Sequence, residues 1–251
     1  MEYSEKVQRI KEWKKTSEYE VQYSLYHSLV EDIVSTAEQY RSTFYNSAIA
    51  IDERTIRTEV ASKSDLHRGY YCPSLTYDLV VGGVKRGKLL RRFTKNSKTY
   101  FQYGFDKDEH LIWSKHFFNN EHVKTEYLVY TDERVLGLTF CANGNIEAIT
   151  EERYYNGKLQ SYCYVLMLPK KECTEWVEMR KEEYTYDNEG LKSCDWYSIF
   201  PFIHSLKHER ITFERDDGFL SKHYWETLIG LETEQVVYRS DVYDMLDKRK
   251  A

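Results

Sequence analysis

Two histidines, His204 and His208, stand four residues apart, the spacing that puts two metal ligands on one face of a helix. The segment Phe200-Pro201-Phe202-Ile203-His204-Ser205-Leu206-Lys207-His208-Glu209 has serine, not glutamate, after His204, so it is not the zinc-protease pattern. No third ligand follows from spacing. Two ordinary surface histidines in a loop is the plainer reading, and no metal site is assigned. The five cysteines, Cys72, Cys141, Cys163, Cys173 and Cys194, form no close pair and no Cys-x-x-Cys. A disulfide scaffold uses an even, tightly spaced set, so five free thiols are expected. None of them has a histidine nearby in a recognisable nucleophile signature, although such pairs form in space and need no motif. Glycine-rich phosphate loops and the Gly-x-Ser-x-Gly elbow are absent. Carboxylates are plentiful, which leaves a glycosidase-like acid pair open without pointing to any one pair. The sequence therefore assigns no catalytic residue and no cofactor.

Charge is the feature that stands out. The net charge is −5, which gives no reason to expect nucleic-acid binding. Yet no acid occurs from Leu79 to Phe105, while Lys85, Arg86, Lys88, Arg91, Arg92, Lys95 and Lys98 crowd seven cations into fourteen residues. On the strand–turn–strand expected there, Arg86, Lys88 and Arg92 share one face, and Lys85 and Arg91 point the other way. The plainer reading is a solvated face neutralised by acids of the neighbouring strand. The functional reading is a docking surface for an acidic partner or a phosphate group. Opposite charge gathers at Glu172, Glu175, Glu178, Glu182 and Glu183, around Trp176 and Met179. As a strand, this stretch puts Glu172, Glu178 and Glu182 on one face, able to meet a basic protein or the basic segment of the same molecule. The candidate partner-binding residues are Arg86, Lys88, Arg92, Glu172, Trp176 and Glu178.

The elements that position these groups follow from periodicity. Ser4 to Trp13 reads as a short helix with Val7, Ile10 and Trp13 on one side. Tyr26, Leu29, Val30, Ile33, Ala37, Tyr40 and Phe44 then recur every three or four residues, which predicts an amphipathic helix from roughly Glu18 to Tyr45. Its stripe should pack on a sheet; a partner-binding helix is the alternative. After Ile51 the pattern changes to short aromatic and β-branched runs divided by Asp, Asn and Gly. Asn-Gly pairs at 143–144 and 156–157 are strong hairpin signals, because a type I′ turn needs positive φ at both positions. Thr139 to Met167 is thus expected as three strands joined by two tight turns. Turns are also expected at Gly82-Gly83, Asp106–Glu109, Thr131–Arg134, Asp187–Gly190 and Asp216–Gly218. The 23 tyrosines suit sheet surfaces wet on one side. The expected class is mainly β, an antiparallel meander of hairpins behind a helical N-terminus. Residues 1–50 are the helical segment, 51–239 the sheet, and 240–251 a short helix or tail, all within one structural unit. With no apolar run long enough to span a bilayer and no signal-peptide pattern at Met1 to Lys6, a reduced cytoplasmic setting is expected.

Several hairpins share a degenerate pattern of aromatic, turn with Asp or Asn, apolar, then aromatic. The copies are Tyr184–Leu191 ending at Trp196, Phe213–Leu220 ending at Tyr224-Trp225, Tyr103–Leu111 ending at Trp113, and Tyr154–Leu159 ending at Tyr162. Aromatics flank each turn and are expected to pair across strands, with Asp or Asn bonding its own turn backbone. This resembles the YD repeats of RHS-type polymorphic toxins and the MORN-like hairpin repeats of some toxin-immunity proteins, over roughly Tyr103 to Trp225. Spacing between copies is uneven, and a YD array is more regular and far longer, so a small immunity-type sheet protein fits the size better. The resemblance implies a non-catalytic interaction module, an immunity protein or antitoxin that binds a partner toxin. Two other readings stand beside it: a structural repeat component of phage or spore type, and an enzyme with a carboxylate-lined site on the sheet.

Overall fold

The computed structural model describes residues 8, 11–80, 84–92, 98–171, 175–203, 205–216, 219–227 and 236–238. Helix α1 is Ser17–Arg54. It begins where it does because the Thr16 hydroxyl accepts a hydrogen bond from the Tyr19 N–H at 3.2 Å, satisfying one of the donors that a helix start leaves free. Helical residues continue four beyond the expected boundary at residue 50. Tyr19, Tyr23, Tyr26, Val30, Ile33, Ala37 and Tyr40 alternate three- and four-residue steps, and four of them, Tyr19, Val30, Ile33 and Ala37, are completely buried. The stripe packs on the sheet. The Phe44 side chain lies outside the described residues.

Among the described residues, twelve strands form one antiparallel sheet in which every strand pairs with the next in sequence. They are β1 (Arg57–Ser62), β2 (Tyr100–Phe105), β3 (Leu111–Phe118), β4 (Glu121–Tyr130), β5 (Arg134–Cys141), β6 (Ile146–Tyr155), β7 (Lys158–Lys170), β8 (Trp176–Asp187), β9 (Gly190–Phe200), β10 (Ser205–Asp216), β11 (Phe219–Thr227) and β12 (Val236–Tyr238). The expected meander behind a helical N-terminus is the fold. Its four repeat copies are the hairpins β2–β3, β6–β7, β8–β9 and β10–β11. Their closing aromatics do not oppose aromatics, however: Trp113 faces Gly104, Tyr162 faces Glu152, Trp196 faces Glu182 and Trp225 faces Ile211.

The turns divide by backbone sign. Asn156 (φ 49°) and Gly157 (φ 72°) form the expected two-residue type I′ connection. At Asn143-Gly144 only Gly144 has positive φ, 80°. The Cys141 N–H bonds Asn145 C=O at 2.8 Å and the Gly144 N–H bonds Cys141 C=O at 2.9 Å, so three residues, not two, close that hairpin. Asn119 (φ 51°) and Asn120 (φ 65°) make a turn between β3 and β4 that the sequence does not announce, since it contains no glycine.

One large departure concerns residues 63–80 and 84–92. They form an irregular strap, containing a 3₁₀ turn at Gly69–Tyr71 and helix α2 at Tyr77–Val80, so that of the strand–turn–strand expected between Leu79 and Phe105 only Tyr100–Phe105 is strand among the described residues. Residues 84–92 then run beside β1, touching it through the Ala61–Leu89 bridge and the bonds Ser62 N–H to Lys88 C=O and Leu90 N–H to Val60 C=O, both 2.8 Å. The strap covers the sheet face opposite α1. Gly82-Gly83, Glu172, Cys173, His204, Asp217-Gly218 and the expected 240–251 helix lie outside the described residues, as does most of the Ser4–Trp13 segment. No helix among the described residues is long and apolar enough to cross a membrane.

Candidate functional site

Strand alternation sends odd and even residues to opposite faces. Beneath α1 lie Leu138, Ile149, Val165, Met179 and Ile199. Their strand neighbours face the strap, and many are polar. Arg68, held in the left-handed region at φ 59°, drops its guanidinium onto that face. It donates to both Glu126 oxygens at 2.8 Å and to Glu152 at 2.6 Å, and reaches the Thr150 hydroxyl at 3.2 Å. Arg68 is 4 % exposed, Glu126 2 % and Glu152 4 %. Burial alone would lower the Arg68 pKa, but the Glu126 and Glu152 charges hold it well above its usual value. Burial would likewise raise Glu126, and the charges of Arg68 and His67 instead hold it well below the usual carboxylate range. Gly137 makes room for this cluster: a Cβ there would lie 2.2 Å from the Thr150 hydroxyl and 2.3 Å from a Glu126 oxygen.

Between strap and sheet is a cavity of about 300 Å³. The strap contributes Ser64, Leu66, His67, Ser74 and Tyr77; the sheet contributes Phe101, His116, Lys124, Tyr162, Tyr164 and a run on β8, Glu178, Arg180 and Glu182. Arg180 pairs with Glu178 and donates to the Tyr77 hydroxyl at 2.6 Å. Lys124 pairs with Glu147 at 3.1 Å. Glu182 accepts from the hydroxyls of Thr76 and Tyr184, yet burial leaves its pKa raised. His116 stacks on Phe101 at 4.5 Å, and burial, with help from Lys124, lowers its pKa to about 4, so the ring is neutral at pH 7. Burial pushes the Cys72 thiol up to about 11, which makes it a poor nucleophile.

The sequence-derived candidates separate. Arg86 is not on a docking face. It is 4 % exposed, grips Asp78 through two 2.9 Å bonds, and donates to the Cys72 and Ser74 carbonyls. An irregular strap does not alternate, so sharing a face with Lys88 and Arg92 was a property of a strand that does not form. Lys88 and Arg92 are exposed, together with Lys85, Arg91 and Lys98. Trp176 is 8 % exposed and packs under α1, 5.3 Å from the His27 ring. Glu178 is buried in the cavity wall. Glu172 lies outside the described residues. The two-histidine helix does not form around His208, which sits on β10 and bonds Asp195 at 2.8 Å.

Asp106, Asp108 and His110 bring ligand atoms within 4.8 Å of one another. Asp106 is already engaged, accepting the Asp108 and His110 N–H groups at 3.0 Å each and facing Arg54 at 3.2 Å, so it serves as a turn clamp. Of the five cysteines, Cys72, Cys141, Cys163 and Cys194 are free. What the sequence reading missed is the strap itself. Its available signal is negative: Ser64 to Tyr77 keeps neither a two-residue nor a 3.6-residue apolar period.

No family model matches the chain and no curated protein matches it. Among solved structures it is similar to a DUF3836 family protein from Parabacteroides distasonis, with a TM-score of 0.30 and 15 % identity, over 40 % of this chain and 96 % of that one.

Proposed function

We propose that this protein is a non-catalytic binding module that docks an acidic protein partner along the β1 edge of its sheet, in the manner of an immunity protein or antitoxin. One observation carries the reading. Many cations on the sheet faces are answered by acids, Arg134 and Arg153 by Glu151, Lys181 by Glu183, Lys207 by Glu209 and Arg210 by Asp195, with Lys158 and Lys192 as isolated exceptions among the described residues. On the strap's last part, which carries no acid after Asp78, the exposed Lys85, Lys88, Arg91 and Arg92 make no ion pair among the described residues. An unanswered row of like charge raises the local potential, steers oppositely charged partners and speeds their association. The nucleophile candidates support the same reading, since burial raises the thiol pKa of Cys72, Cys163 and Cys194.

The test is capture from the native host with wild type and with Lys88→Glu/Arg91→Glu/Arg92→Glu, followed by reconstitution of the captured complex. The expected partner is acidic, associates more slowly as salt rises, and is lost or strongly weakened with the variant. A captured partner that binds both forms equally, with no salt dependence, would overturn the reading.

A further inference from the structure

The cavity between strap and sheet is a separate feature, because none of Lys85, Lys88, Arg91 and Arg92 lines it. We infer that it is a binding site for a neutral, polyhydroxylated small molecule of about the size of a simple sugar. Its volume of about 300 Å³ lies at the small end of the range for ligand sites, roughly 300–1,000 Å³. Its cations are closed. Lys124 is answered by Glu147, Arg180 by Glu178, and Asp65 is met by Lys63 at 3.9 Å, while the buried Glu182 carboxylate accepts from the Thr76 and Tyr184 hydroxyls. An anionic ligand would meet no unmatched cation, which disfavours phosphates, nucleotides and simple anions.

Hydrogen-bonding capacity remains open in the same walls. Arg180 carries five N–H donors, and two are engaged, by Glu178 and by the Tyr77 hydroxyl. The Tyr162 hydroxyl and both ring nitrogens of His116 are buried without a hydrogen-bond partner. Tyr162 is only 5 % exposed. A neutral imidazole offers one donor and one acceptor, and a phenol offers both as well. A ligand hydroxyl, which also donates and accepts, matches every one of these groups; a carboxylate or an ammonium matches only half. Phe101, Tyr77 and Tyr164 add flat apolar surfaces against which the C–H face of a sugar ring can lie. Wedging a hydroxylated ligand against this wall completes polar groups that the protein alone leaves unmatched.

The experiment titrates the full chain with D-glucose, N-acetyl-D-glucosamine and maltose, with adenosine and glycylglycine as aromatic and zwitterionic comparators. NMR of the histidine and arginine side chains and calorimetry are the readouts. The expected result is saturable binding of at least one sugar with a Kd of about 1 mM or tighter, moving the His116 resonances. Arg180→Met should weaken it about tenfold or more, and so should Tyr162→Phe, which removes one hydroxyl and keeps the ring in its place. No saturation by any of the three sugars at roughly ten times that concentration overturns the proposal. So does preferred binding of adenosine or glycylglycine, or sugar binding unchanged in both variants while each retains its wild-type circular dichroism. The outcome leaves the docking edge untouched, because Lys88→Glu/Arg91→Glu/Arg92→Glu should bind the same sugar as wild type.

Discussion

Under α1 the sheet buries Leu138, Ile149, Val165, Met179 and Ile199, all at 2 % exposure or less. Under the strap the same strands bury Glu126, Thr150, Glu152, Glu178 and Glu182, at 8 % or less. The first face is held by apolar area removed from water, which depends little on orientation. The second holds only while its carboxylates keep the cations and hydroxyls that satisfy them, since a paired buried ion roughly offsets its own desolvation and an unpaired one does not. A polar face of this kind adds little net stability over an apolar one. What it does provide is a fixed geometry, with the strap tied to the sheet at Arg68 and folded back on itself at Arg86. The apolar face builds the protein; the polar face sets where groups sit.

The largest expected effect tests that division. Arg68→Met leaves Glu126 and Glu152 buried without their cation, and should destabilise by about 3–5 kcal/mol in urea denaturation. Leu138→Ala, on the other face, should cost about 2–5 kcal/mol through lost burial and a cavity. Replacing Arg68, Glu126 and Glu152 together by apolar residues should recover much of the Arg68→Met loss, whereas no second change rescues Leu138→Ala in that way. If Arg68→Met costs under about 1 kcal/mol, the charges on the strap face are not locking it, and the contrast collapses. Arg86→Met is the second clamp. It strands Asp78 and should also cost about 3 kcal/mol or more. Reversing Arg86, Lys88 and Arg92 to Glu together should therefore unfold the protein, with nearly all of the loss traced to Arg86.

Part of the apolar face could be read from the chain, and most of the polar face could not. The α1 stripe shows in the periodicity from Tyr26 to Tyr40, though Tyr19 and Tyr23 extend it unannounced, and Asn156-Gly157 has one comfortable backbone solution. Such signals are local. Arg86 reads as a surface cation because its partner, Asp78, and the carbonyls of Cys72 and Ser74 come together only when the strap folds back on itself. Glu178 and Glu182 look like an exposed acidic stripe, since nothing nearby in sequence announces the strap that covers them. Trp176 sits among five glutamates and still belongs to the core, because the sheet register between β7 and β8 shifts near Leu166 and Met167 and turns it under α1. Long-range ion pairs and register shifts leave no periodic trace, so charge density alone cannot separate a clamp from a docking surface.

A smaller effect distinguishes the faces by pH. His116 titrates near 4 when folded, against about 6.5 when unfolded, because burial and Lys124 disfavour its protonated form and Glu147 opposes this only in part. A histidine lowered on folding binds its proton more tightly in the unfolded chain. Stability from this group is therefore intact above about pH 6.5 and falls as pH drops toward 4, by up to roughly 3 kcal/mol. His116→Phe should flatten the stability profile across that window relative to wild type. His122 and His223, also lowered by burial, contribute equally to both proteins and cancel in the difference. Leu138→Ala should instead move the whole profile by a constant amount. A wild-type profile that does not steepen between pH 6.5 and 4, relative to His116→Phe, would show that the imidazole is not closed in under the strap.

The smallest expected change in stability belongs to the strap's outer side, and it separates clamp from docking surface within one segment. Lys88 and Arg92 are two and six residues beyond Arg86, yet both are exposed and neither makes an ion pair among the described residues. Exposed single charges contribute about 0–1 kcal/mol, so Lys88→Glu/Arg92→Glu should leave the urea midpoint within that range. Because the row of cations repels itself, the reversal should, if anything, stabilise slightly at low salt and lose that gain as salt screens the charges over about 10 Å. Association with an acidic partner should respond in the opposite sense, falling most at low salt, where steering is strongest. A fold unchanged by the double reversal, beside one broken by Arg86→Met, would assign the inner cation to structure and the outer pair to recognition. If the double reversal instead costs about as much as Arg86→Met, the outer cations are clamps too, and the β1 edge has no charge left over for a partner.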